Sequence, residues 1–290
     1  MNGKKNKKIK KMILLLIFIA GSSVCAYPLI ANLINTRNQT KIISNYESEL
    51  EKLSEEERLE KIEAARAYNE VLNEGQNVIS DPFDNGMQES QEISFIDIGE
   101  IMGYVEIPKL DIKLPIYQGT SETVLQKGIG WLEGTSVPIG GESTHSVLSG
   151  HRGLPTSRLF TDLDKLENGD NFFIRNADGI LAYEVDQIKI VLPDETEDLL
   201  IIEGKEYVTL LTCHPYMVNS HRMLVRGHRI PYTNQLDENY DGKEEIQKIS
   251  FFEKYKEYIY IIGAAVAFFF LLFIIKKIIR RWRKRSRQDR

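Results

Sequence analysis

The feature that most constrains this 290-residue chain is a run of 18 residues without a charge, Tyr258 to Ile275, followed by nine basic side chains between Lys276 and Arg290. As a helix it reaches about 27 Å, close to the ~30 Å hydrocarbon thickness of a bilayer. The run therefore reads as a transmembrane helix, and its basic flank belongs in the cytoplasm. A second apolar run, Met12 to Ile34, follows Lys4, Lys5, Lys7, Lys8, Lys10 and Lys11. Val24-Cys25-Ala26 offers a small-residue cleavage pattern, but the apolar character continues through Pro28-Leu29-Ile30-Ala31. An uncleaved signal anchor is the better reading. Both ends then lie in the cytoplasm and residues 35–257 outside, with Tyr255, Tyr258 and Tyr260 at the outer interface.

Charge agrees with that layout. Six lysines in residues 1–34 carry +6 and the basic tail carries +8, so a whole-chain charge of −5 leaves −19 on the part between them. So acidic a region is a poor partner for nucleic acid or an anionic lipid surface. Of the two cysteines, Cys25 sits in the first apolar run, so Cys213 has no intramolecular disulfide partner outside the membrane. A lone cysteine is often a small buried hydrophobe. In an oxidising compartment, however, a free reactive thiol explains it better.

Between the spans the texture changes twice. Residues 42–74 carry apolar side chains at spacings of three and four (Leu50, Leu53, Leu59, Ile62, Ala65), which predicts an amphipathic helix or helix pair. Residues 76–99 are polar and turn-forming around Asp81-Pro82-Phe83-Asp84-Asn85-Gly86, which suits a linker or a loop covering a site. Strand signals follow: 101–107, 112–117, 146–149, 171–175, 181–191, 207–211 and 223–230 are rich in β-branched and aromatic residues between Gly, Pro, Asn and Asp. Helical turns fit 122–127, 159–166 and 195–200. This pattern predicts a mainly β domain, a closed or nearly closed barrel with short helical insertions. No glycine-rich phosphate loop follows a strand, so nucleotide binding has no support.

Chemistry concentrates between Thr209 and Arg229. Pro215 ends one strand, Tyr216 to Ser220 form a turn, and Met223 to Val225 resume a strand. Cys213 at the strand end is expected to be accessible. A cysteine nucleophile needs a proton carrier, usually His. His151 lies where Ser146-Val147-Leu148-Ser149-Gly150 opens into a loop. His145 begins that strand and projects near its other end, while His214 points to the opposite face from Cys213. His214, His221 and His228 recur every seventh residue, but Pro215 and Gly227 argue against a helix presenting them to a metal. An oxyanion needs fixed positive charge. Arg222 comes first after the turn and lies nearest Cys213 across a hairpin, leaving Arg226 and Arg229 for structural ion pairs.

These motifs resemble the sortases, specifically the pilin-polymerising class C. The resemblance rests on SGHRGLP at 149–155, TLLTCHP at 209–215 and NSHRMLVRGHR at 219–229, and extends over residues 100–231. It implies a closed eight-stranded sortase-type β-barrel with an N-terminal helical and lid segment and flanking transmembrane helices. It also implies a membrane-anchored transpeptidase that cleaves an LPXTG-type signal between Thr and Gly through a thioester. Cys213 would be the nucleophile, His151 the general acid and base, and Arg222 the oxyanion and substrate ligand. Asp81-Pro82-Phe83 resembles the class C lid motif, with Asp81 pairing with Arg222 and Phe83 covering Cys213; some relatives carry Trp there.

The implied partners are pilins or surface proteins bearing sorting signals, with a pilin lysine as acyl acceptor. No cofactor, metal or nucleic acid is implied. The implied layout is a cytoplasmic basic segment (1–11), signal anchor (12–34), extracellular helical region and lid loop (35–99), catalytic barrel (100–232), juxtamembrane linker (233–257), transmembrane helix (258–275) and cytoplasmic tail (276–290). A housekeeping or accessory sortase that anchors proteins to peptidoglycan is the alternative within the family. Outside it stand a passive membrane-anchored scaffold and a papain-like protease, whose Cys heads a helix and precedes its His.

Overall fold

Short runs of β-branched and aromatic residues, broken by Gly and Pro, form eight strands that close into a barrel in the order β1-β2-β3-β4-β7-β8-β6-β5. The computed structural model describes residues 2–75, 79–83 and 98–233. The strands are β1 Gly103–Ile107, β2 Ile112–Gln118, β3 Ile129–Trp131, β4 Thr144–Ser149, β5 Asn171–Asn176, β6 Gly179–Val191, β7 Glu206–His214 and β8 His221–Ile230. Two neighbouring pairs, β2 with β3 and β4 with β7, run parallel; the others are antiparallel, and β1 against β5 closes the ring. β3 has no counterpart among the sequence-predicted strands, because three residues with a central glycine carry too little period to read. The residues before Gly103 do not extend β1 either: Ile101 makes an isolated bridge with Ile98.

Strand alternation sends Leu148, Leu210, Met223 and Val225 into one apolar cluster with Phe172, Ile174 and Trp131, which fills the barrel. Their neighbours Val147, Leu211 and Leu224 face the other way and form a second cluster with Ile79, Leu132 and Leu199. Strands β4, β7 and β8 are thus buried on both faces along much of their length.

Two helices precede the barrel. Helix α1 (Asn2–Lys52) contains Pro28, and its two parts, Met12–Val24 and Ala26–Lys52, are bent by 40°. The ring of Pro28 removes a hydrogen bond to Val24 and crowds its carbonyl, which accounts for a kink there. Among the described residues no single helix is long and apolar enough to cross a membrane, although the bent pair is by length and composition. The run Tyr258 to Ile275 lies outside the described residues. From Asn35 onward α1 meets the barrel: Asn35 Nδ2 donates to Thr156 O at 2.8 Å, and Ile43 and Tyr46 pack on Ile101, Tyr104 and Tyr117. Helix α2 (Glu55–Glu74) starts at a capping box in which Ser54 and Glu57 satisfy each other's backbone N–H. Asn69 then pins α2 to the barrel, accepting from Val137 N at 2.7 Å and donating to Val137 O at 3.2 Å. The polar and turn-forming stretch after α2 is described at 79–83 and 98–99.

His145 at the start of β4 is fully buried. A carbonyl can only accept, so its Nδ1–H donates to Leu200 O at 2.9 Å, and Nε2 accepts from Thr209 Oγ at 2.7 Å. Burial and the nearby Arg226 push its pKa down to about 4, against the pull of the Leu200 carbonyl, Asp186 and Asp198. The neutral ring ties β4, β7 and the loop before β7 together. A folded pKa below the ordinary ~6.5 means that its stabilisation is complete above that pH and is lost as pH falls towards 4. The full shift corresponds to on the order of 3 kcal/mol. Unfolding measured from pH 7 to pH 4 should therefore show a destabilising slope that is shallower in His145→Gln, a variant less stable at pH 7.

Candidate active site

Two strand registers bring the chemistry to one level. In the parallel pair, Ser149 of β4 lies against Leu211 of β7. Two residues further on each chain stand His151 and Cys213. In the antiparallel hairpin Cys213 lies directly opposite Arg222, so the two side chains share a face. That face carries Val147, Leu211 and Leu224, outside the barrel interior.

The chain leaving β4 is held in place. Gly150 N donates to Leu211 O at 3.0 Å, and Thr212 Oγ donates to Gly150 O at 2.7 Å. Arg152 then crosses to β7: it donates through Nη1 to His214 Nδ1 at 3.0 Å and through Nε to Thr161 O at 3.3 Å, and pairs through Nη2 with Asp164 at 2.6 Å. The residue after Cys213 and the residue after His151 are therefore tied directly. Gly153 adopts a φ of +87°, and a Cβ there would stand 2.9 Å from the Tyr216 ring, so glycine lets the two loops touch.

Residues 79–83 cover this face. Ile79 joins the apolar cluster and Phe83 packs against it. Asp81 binds Arg222 through two parallel bonds, Nε to Oδ1 at 2.8 Å and Nη2 to Oδ2 at 2.5 Å, with the paired side chains 10% and 11% exposed. Such a fork-to-fork pair is geometrically specific. Arg222 Nη1 donates to the carbonyls of Asn219 and His221, each at 3.0 Å. The Phe83 ring lies 5.2 Å from the guanidinium carbon and 5.5 Å from the His151 ring, so it bridges the two.

Cys213 is a free thiol and only 6% exposed. The expectation of an accessible thiol is therefore corrected, because side chains on the outer face and residues 79–83 bury the strand end. Burial raises its pKa first; Arg222 opposes that and Asp81 adds to it. Arg226 and Arg229 serve structural pairs, with Asp186 through two bonds of 2.9 Å and with Glu206 at 2.9 Å. His214 and His221 face each other across the hairpin and His228 lies at the far end of β8. Among the described residues no group of three or more His, Cys, Asp or Glu is gathered for a metal.

Sequence reasoning missed Glu122, at the start of helix α3 (Glu122–Leu125), whose Oε2 stands 3.4 Å from His151 Nε2. It also missed the role of Arg152 in fixing the loop. The helical turn expected at 122–127 covers the first, and nothing in it points to a histidine in a distant loop.

A barrel bearing a thiol, an imidazole and a guanidinium at one rim has the parts for acyl transfer through a thioester. Comparison with known proteins agrees with that chemistry. The sortase domain model matches residues 105–230. The sortase C-1 structure from Streptococcus pneumoniae is 49% identical, with a TM-score of 0.63, covering 67% of this chain and all of that one (100%). The sortase C1 of GBS pilus island 1 is 46% identical, with a TM-score of 0.63, covering 67% of this chain and 93% of that one. Sortase D of Bacillus subtilis (strain 168) is 34% identical over 137 residues, 46% of this chain and 66% of that protein. The chain belongs to the sortase family of cysteine transpeptidases, and these solved neighbours are class C sortases.

Asp81→Asn removes the negative charge beside the thiol while keeping the side chain's shape. The pH profile of Cys213 alkylation by iodoacetamide should move to lower pH; an unmoved profile would show that Asp81 does not act on the thiol.

Proposed function

We propose that this chain is a membrane-anchored transpeptidase that cleaves an LPXTG-type sorting signal between Thr and Gly and joins the new carboxyl to a pilin lysine. The observation that carries the reading is the strand register that sets Cys213 opposite Arg222 and level with His151. Cys213 Sγ gives its proton to His151 and attacks the Thr carbonyl, and Arg222 holds the oxyanion with its fork of donors. His151 protonates the departing Gly amine, leaving a thioester on Cys213. The lysine amine then attacks, giving its proton to His151 as the thiolate leaves.

Residues 79–83 act as a lid. While Asp81 occupies Nε and one N–H of Nη2 of Arg222 and two carbonyls occupy Nη1, four of the five guanidinium donors are taken and an oxyanion competes with the Asp81 carboxylate. The substrate must displace Asp81, and in doing so it removes one cause of the raised thiol pKa. The uncovered apolar side chains on the first part of α1, among them Leu14, Leu16 and Ile17, suit a bilayer and support membrane attachment. The basic segment 1–11, anchor 12–34, helical and lid region 35–99, barrel 100–232, linker 233–257, second span 258–275 and tail 276–290 form the layout that goes with it, with the barrel outside the cell. Joining pilins is favoured over anchoring to peptidoglycan by the likeness to a sortase of a pilus island and by the Asp81-Pro82-Phe83 lid.

Intact mass measurement of the full-length chain with a sorting peptide should reveal a thioester on Cys213, more of it in the Asp81→Ala, Phe83→Ala double variant. Cys213→Ala should abolish the adduct and pilin joining, and His151→Ala and Arg222→Ala should each lose on the order of 100-fold or more in rate. Polymer formed by Cys213→Ala cells would overturn the reading.

A further inference from the structure

We propose that Glu122 is a positioning carboxylate for His151, holding Nε2–H so that Nδ1 is the nitrogen that exchanges the proton. The inference rests on the thioester reading above and names a fourth residue and a tautomer that it leaves open.

His151 Nε2 is buried and has no hydrogen-bond partner among the described residues. A buried ring nitrogen left so is costly unless some state of the protein satisfies it. Glu122 Oε2 is 3.4 Å away, near enough to pair but short of a good hydrogen bond. The other oxygen of the carboxylate accepts from Gln126 Nε2 at 2.8 Å, which steadies Glu122 at the start of α3. A small movement closes the gap when the ring gains its second proton, since the N⁺–H···O⁻ bond is shorter and stronger than the neutral one.

The other charges near the ring do not compete. On the lid and β8, Asp81 and Arg222 satisfy each other. On the ring's own loop, Arg152 is committed to Asp164 and His214. On β7, Cys213 is held as the thiol by burial. The lid's Phe83, which packs against the ring, is uncharged. Glu122 is the acid at ion-pair distance, and it favours the imidazolium that a thiolate–imidazolium pair requires.

The proton balance follows. The thiol proton passes from Sγ to Nδ1, while the proton on Nε2 stays on the ring and donates to Glu122. When the tetrahedral adduct collapses, the Nδ1 proton goes to the leaving amine and the ring returns to the Nε2–H tautomer. Glu122 gains and loses no proton. Glu122 is 61% exposed in the lid-covered state, so its pull is modest there and grows as bound substrate excludes water.

Glu122→Gln removes the charge and one of the two acceptor oxygens, while the remaining amide oxygen keeps a partner for Gln126. The full-length chain in detergent is labelled with ¹³C,¹⁵N-histidine; it contains five histidines, and the His151 signal is the one missing from His151→Gln. We expect the neutral His151 ring to carry its proton on Nε2, and the Nδ1–H tautomer to gain population in Glu122→Gln. Transpeptidation at neutral pH should drop by roughly threefold or more. A neutral ring protonated on Nδ1, or a tautomer balance unmoved by Glu122→Gln, overturns the proposal. Thioester formation by the unsubstituted protein is measured on the same sample; its absence would count against the transpeptidase reading, while the tautomer still decides the role of Glu122.

Discussion

The parallel pairing of β4 with β7 is the contact on which the site depends. Parallel neighbours cannot be joined by a tight turn, so the chain must travel away and return. Here residues 150–205 intervene and supply β5 and β6 on the way. Once made, the pairing continues past the last ladder rung through the Gly150 bonds to Leu211 and Thr212, which carries the level of β7 into the loop that bears His151. A slip of one residue would exchange the two faces of the strand. Leu210 and Thr212 would turn outward, and Cys213 would turn into the barrel.

Burial on both faces is what makes that register hard to shift. Leu148, Leu210 and Met223 belong to the inner cluster, and Val147, Leu211 and Leu224 to the outer one. The outer cluster is also where residues 79–83 are seated, so one apolar surface serves both as part of the strand framework and as the floor under the candidate lid. The Asp81–Arg222 pair on top of it is nearly dry, and taking two charges out of water is costly unless their geometry is good. Its two-bond fork and the carbonyls on Arg222 Nη1 supply that geometry. The same dryness raises the thiol pKa, so burial disfavours the thiolate of Cys213.

Two histidines of one segment show how environment divides identical side chains. His145, His151 and the strand between them lead along the same edge of β7. His145 has both ring nitrogens satisfied and its pKa pushed down to about 4, so it stays neutral and joins backbone elements. His151 has a bare Nε2 facing a carboxylate and an aromatic ring from residues 79–83. The first is a structural tie. The second has unspent capacity.

The sequence by itself determined most of the strands and the hairpin chemistry. Period-two runs between Gly and Pro are local, and a short turn after Pro215 forces Cys213 and Arg222 to oppose each other whatever the rest of the barrel does. The free status of Cys213 followed from counting thiols. The pairing of Arg226 and Arg229 with acids was also foreseen, from their distance down the strand. His151, by contrast, was reachable only as a histidine at a strand end, and its place beside Cys213 comes from a parallel pairing across 62 residues. Asp81 reaches Arg222 across 141 residues, Glu122 approaches His151 from helix α3, and Cys213 is buried where the barrel's outer face is covered. Those relations depend on how distant segments pack, and no period or turn within a few residues encodes that; only the closed barrel decided them.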